Sequence, residues 1–273
     1  MSTTEAPSVT ALREVLRLHT VASDDPDRTD PAPFVELHAV LRRHFPRVHE
    51  AGEVVDVPPH GLLIRVPADP GSPTCDADPV VLMAHMDVVP IGDESLWTHP
   101  PLAAEVVDGV IWGRGTLDDK GQLVAVMAAV ESLLAEGLAP ARDVWLSFGS
   151  DEEVMGTCAL AAVELLRERG VRPWFVLDEG GIALDDNPVT GGPMAMIAVS
   201  EKGYATLKIT ATGDDTALAG IMDRLASSDH VDRVWRQQCL DTREHVTFLA
   251  QEVDDAGAVH ATYDSGAAMS GGQ

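Results

Sequence analysis

Apolar residues recur at helical spacing twice near the start of the chain, first at Val9, Leu12, Val15 and Leu16, then at Phe34, Leu37, Val40, Leu41 and Phe45. A helix returns a side chain to the same face every three or four positions, so each series predicts an amphipathic helix. A polar, proline-containing stretch separates the two. Residues 61–66 form a short apolar run, and a Pro/Gly/Asp-rich loop over 67–79 follows it. Val80, Val81, Leu82, Met83 and Ala84 then read as a buried strand that ends on His85. Residues 104–107 and 110–112 flank Asp108-Gly109, a pair that tolerates positive φ and predicts a hairpin turn. Beyond Gly113-Arg114-Gly115, residues 120–136 place Leu123, Val126, Met127, Val130, Leu133 and Leu134 on one helical face, with Gly137 as the stop.

Val144 to Phe148 reads as a strand, residues 157–169 as a helix ended by Gly170, and Trp174 to Leu177 as a further strand. The resulting β-α-β-α-β order predicts an α/β fold: a mostly parallel sheet with helices on both faces, whose ligands gather beyond the carboxyl ends of the strands. From Tyr204 to Ala211 the pattern changes to strict alternation, as in a half-exposed antiparallel strand. A boundary is therefore expected near Ser200 to Gly203, dividing 1–200 from a partial α+β segment over 201–273. Leu218, Ile221, Met222 and Leu225 suggest one helix there, and much of 231–251 another, before a frayed tail from Ser265.

Charge narrows the partners. Asp and Glu number 44 against 19 Lys and Arg, a formal charge of −25, which repels nucleic-acid phosphates and anionic lipid headgroups. Neither nucleic acid nor membrane is an expected partner. Cys75, Cys158 and Cys239 are odd in number and lack C-x-x-C spacing, so a disulfide framework and a thiolate zinc site are both disfavoured. With no basic leader or membrane-length apolar run, the expected compartment is the cytoplasm.

Four acidic or imidazole-bearing clusters fall at the ends of predicted elements. His85-Met86-Asp87 ends a strand, and the spacing of two lets Asp87 meet the His85 imidazole. Asp118-Asp119 stands in a glycine-rich segment at the mouth of a long helix. Asp151-Glu152-Glu153 and Asp178-Glu179-Gly180-Gly181 each follow a strand. Taken singly, these read as a turn histidine, a helix cap and two solvated acidic turns. Taken together, one sheet brings them to a common crevice. Carboxylate oxygen and imidazole nitrogen without thiolate suit zinc, cobalt or manganese, and the many acids fit a pair of ions bridged by one aspartate.

The runs from His85 to Pro90, Leu96-Trp97-Thr98-His99-Pro100-Pro101, 113–121, 151–156 and 177–181 resemble the co-catalytic zinc peptidase family. That family includes carboxypeptidase S, aminoacylase, acetylornithine deacetylase and succinyl-diaminopimelate desuccinylase, and the match is closest to the carboxypeptidase S branch. The resemblance implies up to two zinc ions. His85 and Asp178 would hold one, Asp118 would bridge both and Glu153 would hold the second. Asp87 would orient His85, and Glu152 would be the general base. It also implies a cis peptide between Asp118 and Asp119, a small peptide or N-acyl amino acid as substrate, and leaves homodimerisation through a lid open.

The pattern departs from the family after the alternating strand. Gly213 is followed by Asp214-Asp215-Thr216-Ala217 in place of a Gly-Gly-His-Ser type motif, and His230, His245 and His260 sit in unrelated contexts. The expectation is a shortened chain without the C-terminal part of the catalytic domain, whose second metal position lacks its histidine. Two functions follow: a zinc-dependent amidohydrolase of carboxypeptidase or deacylase type, or a metal-binding protein without turnover. A nucleotide-binding sheet ranks below both, because no G-x-G-x-x-G or Walker-type segment opens a helix after a strand.

Overall fold

The computed structural model describes residues 5–181, 183–187, 191–198, 209–212, 251–253 and 258–261. The chain divides into two compact units, Met1–Ala198 and Val199–Gln273. In the first, the elements run α1 (Pro7–Leu16), α2 (Ala32–His44), α3 (Pro46–Ala51), β1 (Glu53–Val57), β2 (Gly61–Val66), β3 (Val80–His85), β4 (Glu105–Val107), β5 (Val110–Trp112), α4 (Lys120–Ala135), β6 (Val144–Gly149), α5 (Cys158–Glu168), β7 (Phe175–Leu177), β8 (Ala183–Leu184) and β9 (Met194–Ala195).

The central sheet has the order β1-β2-β6-β3-β7. Parallel pairing joins β6 to β3 and β3 to β7, with His85 opposite Gly149. On the other side β2 runs antiparallel to both β1 and β6. The α/β class holds: β1, β6, β3 and β7 run in one direction, and β2 alone runs against them, so the sheet is mixed with a parallel majority. The physical reason is β1: its Val54 and Val55 pair back on β2 through a tight turn, and β2 inserts beside β6, a strand 78 or more residues away. Local patterning carries no information about that insertion.

Helices cover both faces. On one, Leu62, Ile64 and Val66 of β2 and Leu146 and Phe148 of β6 pack against Val15 of α1, Leu37 and Leu41 of α2 and Leu123 and Met127 of α4. The alternate positions, Leu63 and Trp145, turn to the opposite face and meet Cys158, Ala162 and Leu166 of α5. The period of two is thus satisfied on both sides at once, as a central strand requires.

The predicted turns form as their chemistry demands. Asp108 and Gly109 adopt φ of 51° and 82°, closing the β4–β5 hairpin with Val107 opposite Val110. Gly137 and Gly170 take positive φ at the ends of α4 and α5, where Leu138 N–H reaches Leu133 O and Val171 N–H reaches Leu166 O. Two packing expectations shift on α4: Leu133 is exposed, and Val124 is buried in its stead. Short α3, which begins at Pro46, continues past the expected end of the second helix.

The parallel edge differs. Phe175, Val176 and Leu177 of β7 are 42%, 50% and 53% exposed, although this run has the apolar character of a strand covered on both faces.

In the second unit the described residues form a three-stranded antiparallel sheet, β10 (Ile209–Thr212), β11 (Gln251–Val253) and β12 (Ala258–Ala261), in the order β10-β12-β11. Gln251 lies in a strand, not at the end of a helix. The expected helices over 218–225 and 231–250, and the strand over 204–208, lie outside the described residues. Among the described residues no helix is long and apolar enough to cross a membrane.

Candidate metal centre

The centre forms where β3 and β6 end side by side. His85 closes β3 and is 2% exposed, so its ring is fixed by the sheet rather than by a loop. Its Nδ1–H donates to the Asp87 carbonyl at 3.0 Å, with the Asp87 carboxylate at 3.4 Å. Its Nε2–H donates to Asp118 Oδ1 at 2.8 Å, and Glu152 Oε2 lies 3.9 Å from the same nitrogen. Burial alone would drive this imidazole down, but the bonds to Asp118 and Asp87 and the charge of Glu152 outweigh it and raise the pKa to about 11.

Asp87 is fully buried and holds more than the histidine. Its carboxylate accepts the backbone N–H groups of Glu152 at 3.2 Å and Glu153 at 3.0 Å. The acidic turn after β6 is therefore tied to the end of β3. Glu153 in turn accepts the Val89 N–H at 3.2 Å. Burial and the neighbouring negative charges raise both glutamates, Glu153 to about 7.

The Asp118–Asp119 peptide is cis. Asp119 is buried, accepts the His85 N–H at 3.1 Å through Oδ2, and leaves Oδ1 without a hydrogen-bond partner. Desolvation lifts its pKa to about 7. Lys120, the first residue of α4, is also buried, and its Nζ donates to Val15 O at 3.0 Å and Leu18 O at 2.7 Å. It anchors the mouth of α4 to the end of α1.

One group of side chains could hold a metal among the described residues: ligand atoms of His85, Asp118 and Glu179 lie within 4.8 Å of one another. The donor set passes the chemical test for a divalent ion. It offers one imidazole nitrogen and carboxylate oxygens with no thiolate, and the adjoining Asp119 leaves one buried carboxylate oxygen without a hydrogen-bond partner.

The profile of peptidase family M20/M25/M40 matches residues 81–268, which include every one of these groups. The chain belongs to this family. Among its relatives, the N-fatty-acyl-amino acid synthase/hydrolase PM20D1.1 of Danio rerio is 39% identical over 71% of this chain and 38% of its own length. Carboxypeptidase S of Saccharomyces cerevisiae is 34% identical over 76% of the chain and 37% of its own length. The chain thus spans about two fifths of these relatives. Human carnosine dipeptidase 1 superposes with a TM-score of 0.51 at 21% identity, covering 63% of this chain and 38% of that one. The metallo-carboxypeptidase Sso-CP2 of Sulfolobus solfataricus gives 0.51 at 18% identity, covering 66% and 41%. These two likenesses concern the fold.

In this M20 chain His85, Asp87, Asp118, Glu152 and Glu153 gather as one constellation. Asp178 does not share the three-residue group. Its Oδ1 accepts the N–H of Glu179, and Glu179 is the acid whose carboxylate reaches toward His85 and Asp118. Residues one apart at a strand end point to opposite sides, so which of two adjacent acids faces the centre depends on where β7 stops. Asp119 is named in the sequence only as the neighbour of Asp118, and its buried contact with His85, like the burial of Lys120, is seen only in the structure. The signal for Lys120 was a basic residue at the first position of a helix, where a free cation is disfavoured by the dipole.

Proposed function

We propose that this chain is the metal-binding portion of an M20 hydrolase that cleaves amide bonds in small peptides or N-acyl amino acids. The observation that carries the reading is the convergence of His85, Asp118 and Glu179 with Glu152 3.9 Å from the His85 ring nitrogen. His85, Asp118, Glu153 and an acid at the end of β7, Asp178 or Glu179, would hold up to two zinc ions, with cobalt or manganese as substitutes. A bound divalent ion supplies Lewis acidity for polarising a carbonyl and for acidifying water.

The protein's own groups do the rest. Glu152, made more basic than an ordinary glutamate by its half-buried, acid-rich surroundings, accepts the proton of the attacking water and passes it to the leaving amine. Asp87 keeps Glu152 and Glu153 in place through their backbone and holds the His85 ring. Residues 1–200 are read as the N-terminal part of a catalytic domain and 201–273 as a lid remnant. The two compact units, Met1–Ala198 and Val199–Gln273, support this division. Free thiols at Cys75 and Cys158 fit a reducing compartment, the cytoplasm.

The test is metal analysis of purified protein followed by assay on a panel of dipeptides and N-acyl amino acids. One to two zinc equivalents are expected, and Glu152→Ala is expected to abolish hydrolysis while retaining metal. Folded protein that takes up no divalent ion would sink the reading. A second reading, metal binding without turnover, is favoured by Asp214-Asp215-Thr216-Ala217 standing after Gly213 where the family resemblance implies a Gly-Gly-His-Ser type motif. Zinc uptake with no activity on any member of the panel would select it.

A further inference from the structure

The turn that carries Glu152 and Glu153 is held from two sides. Asp87 grips its leading end through the N–H groups of those two glutamates. The trailing end is gripped by Asp151, which is 7% exposed. Its Oδ2 accepts the Thr157 N–H at 2.9 Å and its Oδ1 the Cys158 N–H at 3.1 Å. These are donors at the start of α5, whose own cap residue, Thr157, provides no side-chain bond. Between the two grips the chain is tightly wound. Met155 N–H reaches Glu152 O, Gly156 N–H reaches Asp151 O, both at 2.8 Å, and Met155 takes a φ of 52°.

Position 156 shows how closely the Asp151 side chain crosses this turn. A Cβ there would lie 2.1 Å from the Asp151 carboxyl carbon, so only glycine fits. One carboxylate therefore connects the base-bearing turn to the first turn of a helix that is itself packed on the sheet through Cys158, Ala162 and Leu166.

We propose that Asp151 is a positioning residue of the centre: by capping α5 across Gly156 it fixes the placement of Glu152 and Glu153, acting through the backbone and touching neither substrate nor metal. The role it serves rests on the reading of those glutamates as base and ligand. Its structural core does not, because both grips on the turn are hydrogen bonds within the chain itself.

The test compares Asp151→Ala with Leu166→Ala, which weakens the packing of the same helix from its far end. In metal-free protein, Asp151→Ala is expected to speed amide hydrogen exchange at Glu152 and Glu153 at least about tenfold beyond Leu166→Ala at matched melting temperature. Zinc affinity is expected to fall about ten- to a hundredfold, as for removal of an outer support of a metal site. Turnover should then drop in kcat more than in KM, and the absorption spectrum of the cobalt-loaded protein should change. Asp151→Asn, which keeps one acceptor oxygen, should recover part of each loss. Should Asp151→Ala not fold, Gly156→Ala displaces the same carboxylate without deleting it, and the same exchange signature is expected. Equal exchange at Glu152 and Glu153 in the Asp151 and Leu166 variants, with equal zinc affinity, would overturn the proposal. Absence of zinc binding by the wild type would instead count against the proposed function, and the exchange comparison would still decide the role of Asp151.

Discussion

The two sides of the metal centre are built on opposite terms. On the β3–β6 side, His85 and Asp87 are buried, every contact is to another part of the chain, and each carboxylate oxygen of Asp87 has a backbone donor. On the β7 side, Asp178 and Glu179 are exposed and follow a strand whose three residues are open to solvent. The lesson is that the first side is organised by folding alone, whereas the second is organised by charge and by whatever approaches it. Substitutions on the two sides should therefore be felt in different observables.

The largest expected effect lies on the buried side. Asp87→Ala leaves the Glu152 and Glu153 N–H groups without their acceptor and removes the carboxylate 3.4 Å from the His85 ring, whose bond to the residue-87 carbonyl stays, and should cost about 3–5 kcal/mol in denaturant unfolding. Asp178→Ala and Glu179→Ala should each stay within about 0.5 kcal/mol in that experiment. If they destabilise like Asp87→Ala, the contrast fails. Their effect belongs in metal titration, where the larger loss of affinity identifies which acid completes the His85–Asp118 group. Metal itself is the next largest effect. Zinc at a hundred times its dissociation constant should stabilise the wild type by about 2.7 kcal/mol, a gain reversed by chelator and lost in His85→Ala.

Lys120→Met probes the buried side at one remove. The thioether fills the space of the lysine stem but offers no donor to Val15 O and Leu18 O, so a loss of about 2 kcal/mol is expected by thermal unfolding. The smallest effect concerns acid. Burial holds His38 below its ordinary 6.5, while the Asp56 charge and a hydrogen bond to the His60 backbone oppose that shift. Its neutral form is thus favoured in the fold. That stabilisation is complete above 6.5 and is lost as pH falls toward the lower folded value, because the unfolded chain then binds the extra proton. His38→Gln should show a shallower fall in melting temperature between about pH 7 and 5 than the wild type.

The elements of the first unit were legible wherever their stabilising contacts are local in period. Leu123 and Met127 announce α4, and Asp108-Gly109 announces its hairpin, because spacing and turn chemistry are properties of neighbouring residues. The antiparallel insertion of β2 beside β6 was not, since strand order depends on partners far apart in sequence. The candidate site followed the same rule. His85, Asp87 and Glu152 were readable from motif and strand end together, whereas the choice between Asp178 and Glu179 turns on the last residue of a three-residue strand. The burial of Lys120 was hidden because its partners are carbonyls at the end of α1, which no side-chain pattern records.

Among the described residues no further strand pairs with the outer edge of β7, which bears on how these molecules behave toward one another. A strand with apolar faces and an available edge invites pairing between copies, and the formal charge of −25 opposes it by mutual repulsion. Colloidal stability then depends on ionic strength. Screening shortens from about 8 Å at physiological salt to about 3 Å at 1 M, so light scattering should rise steeply with added salt in the native protein. Placing a lysine at Val176 should flatten that rise by putting a charge on the strand itself.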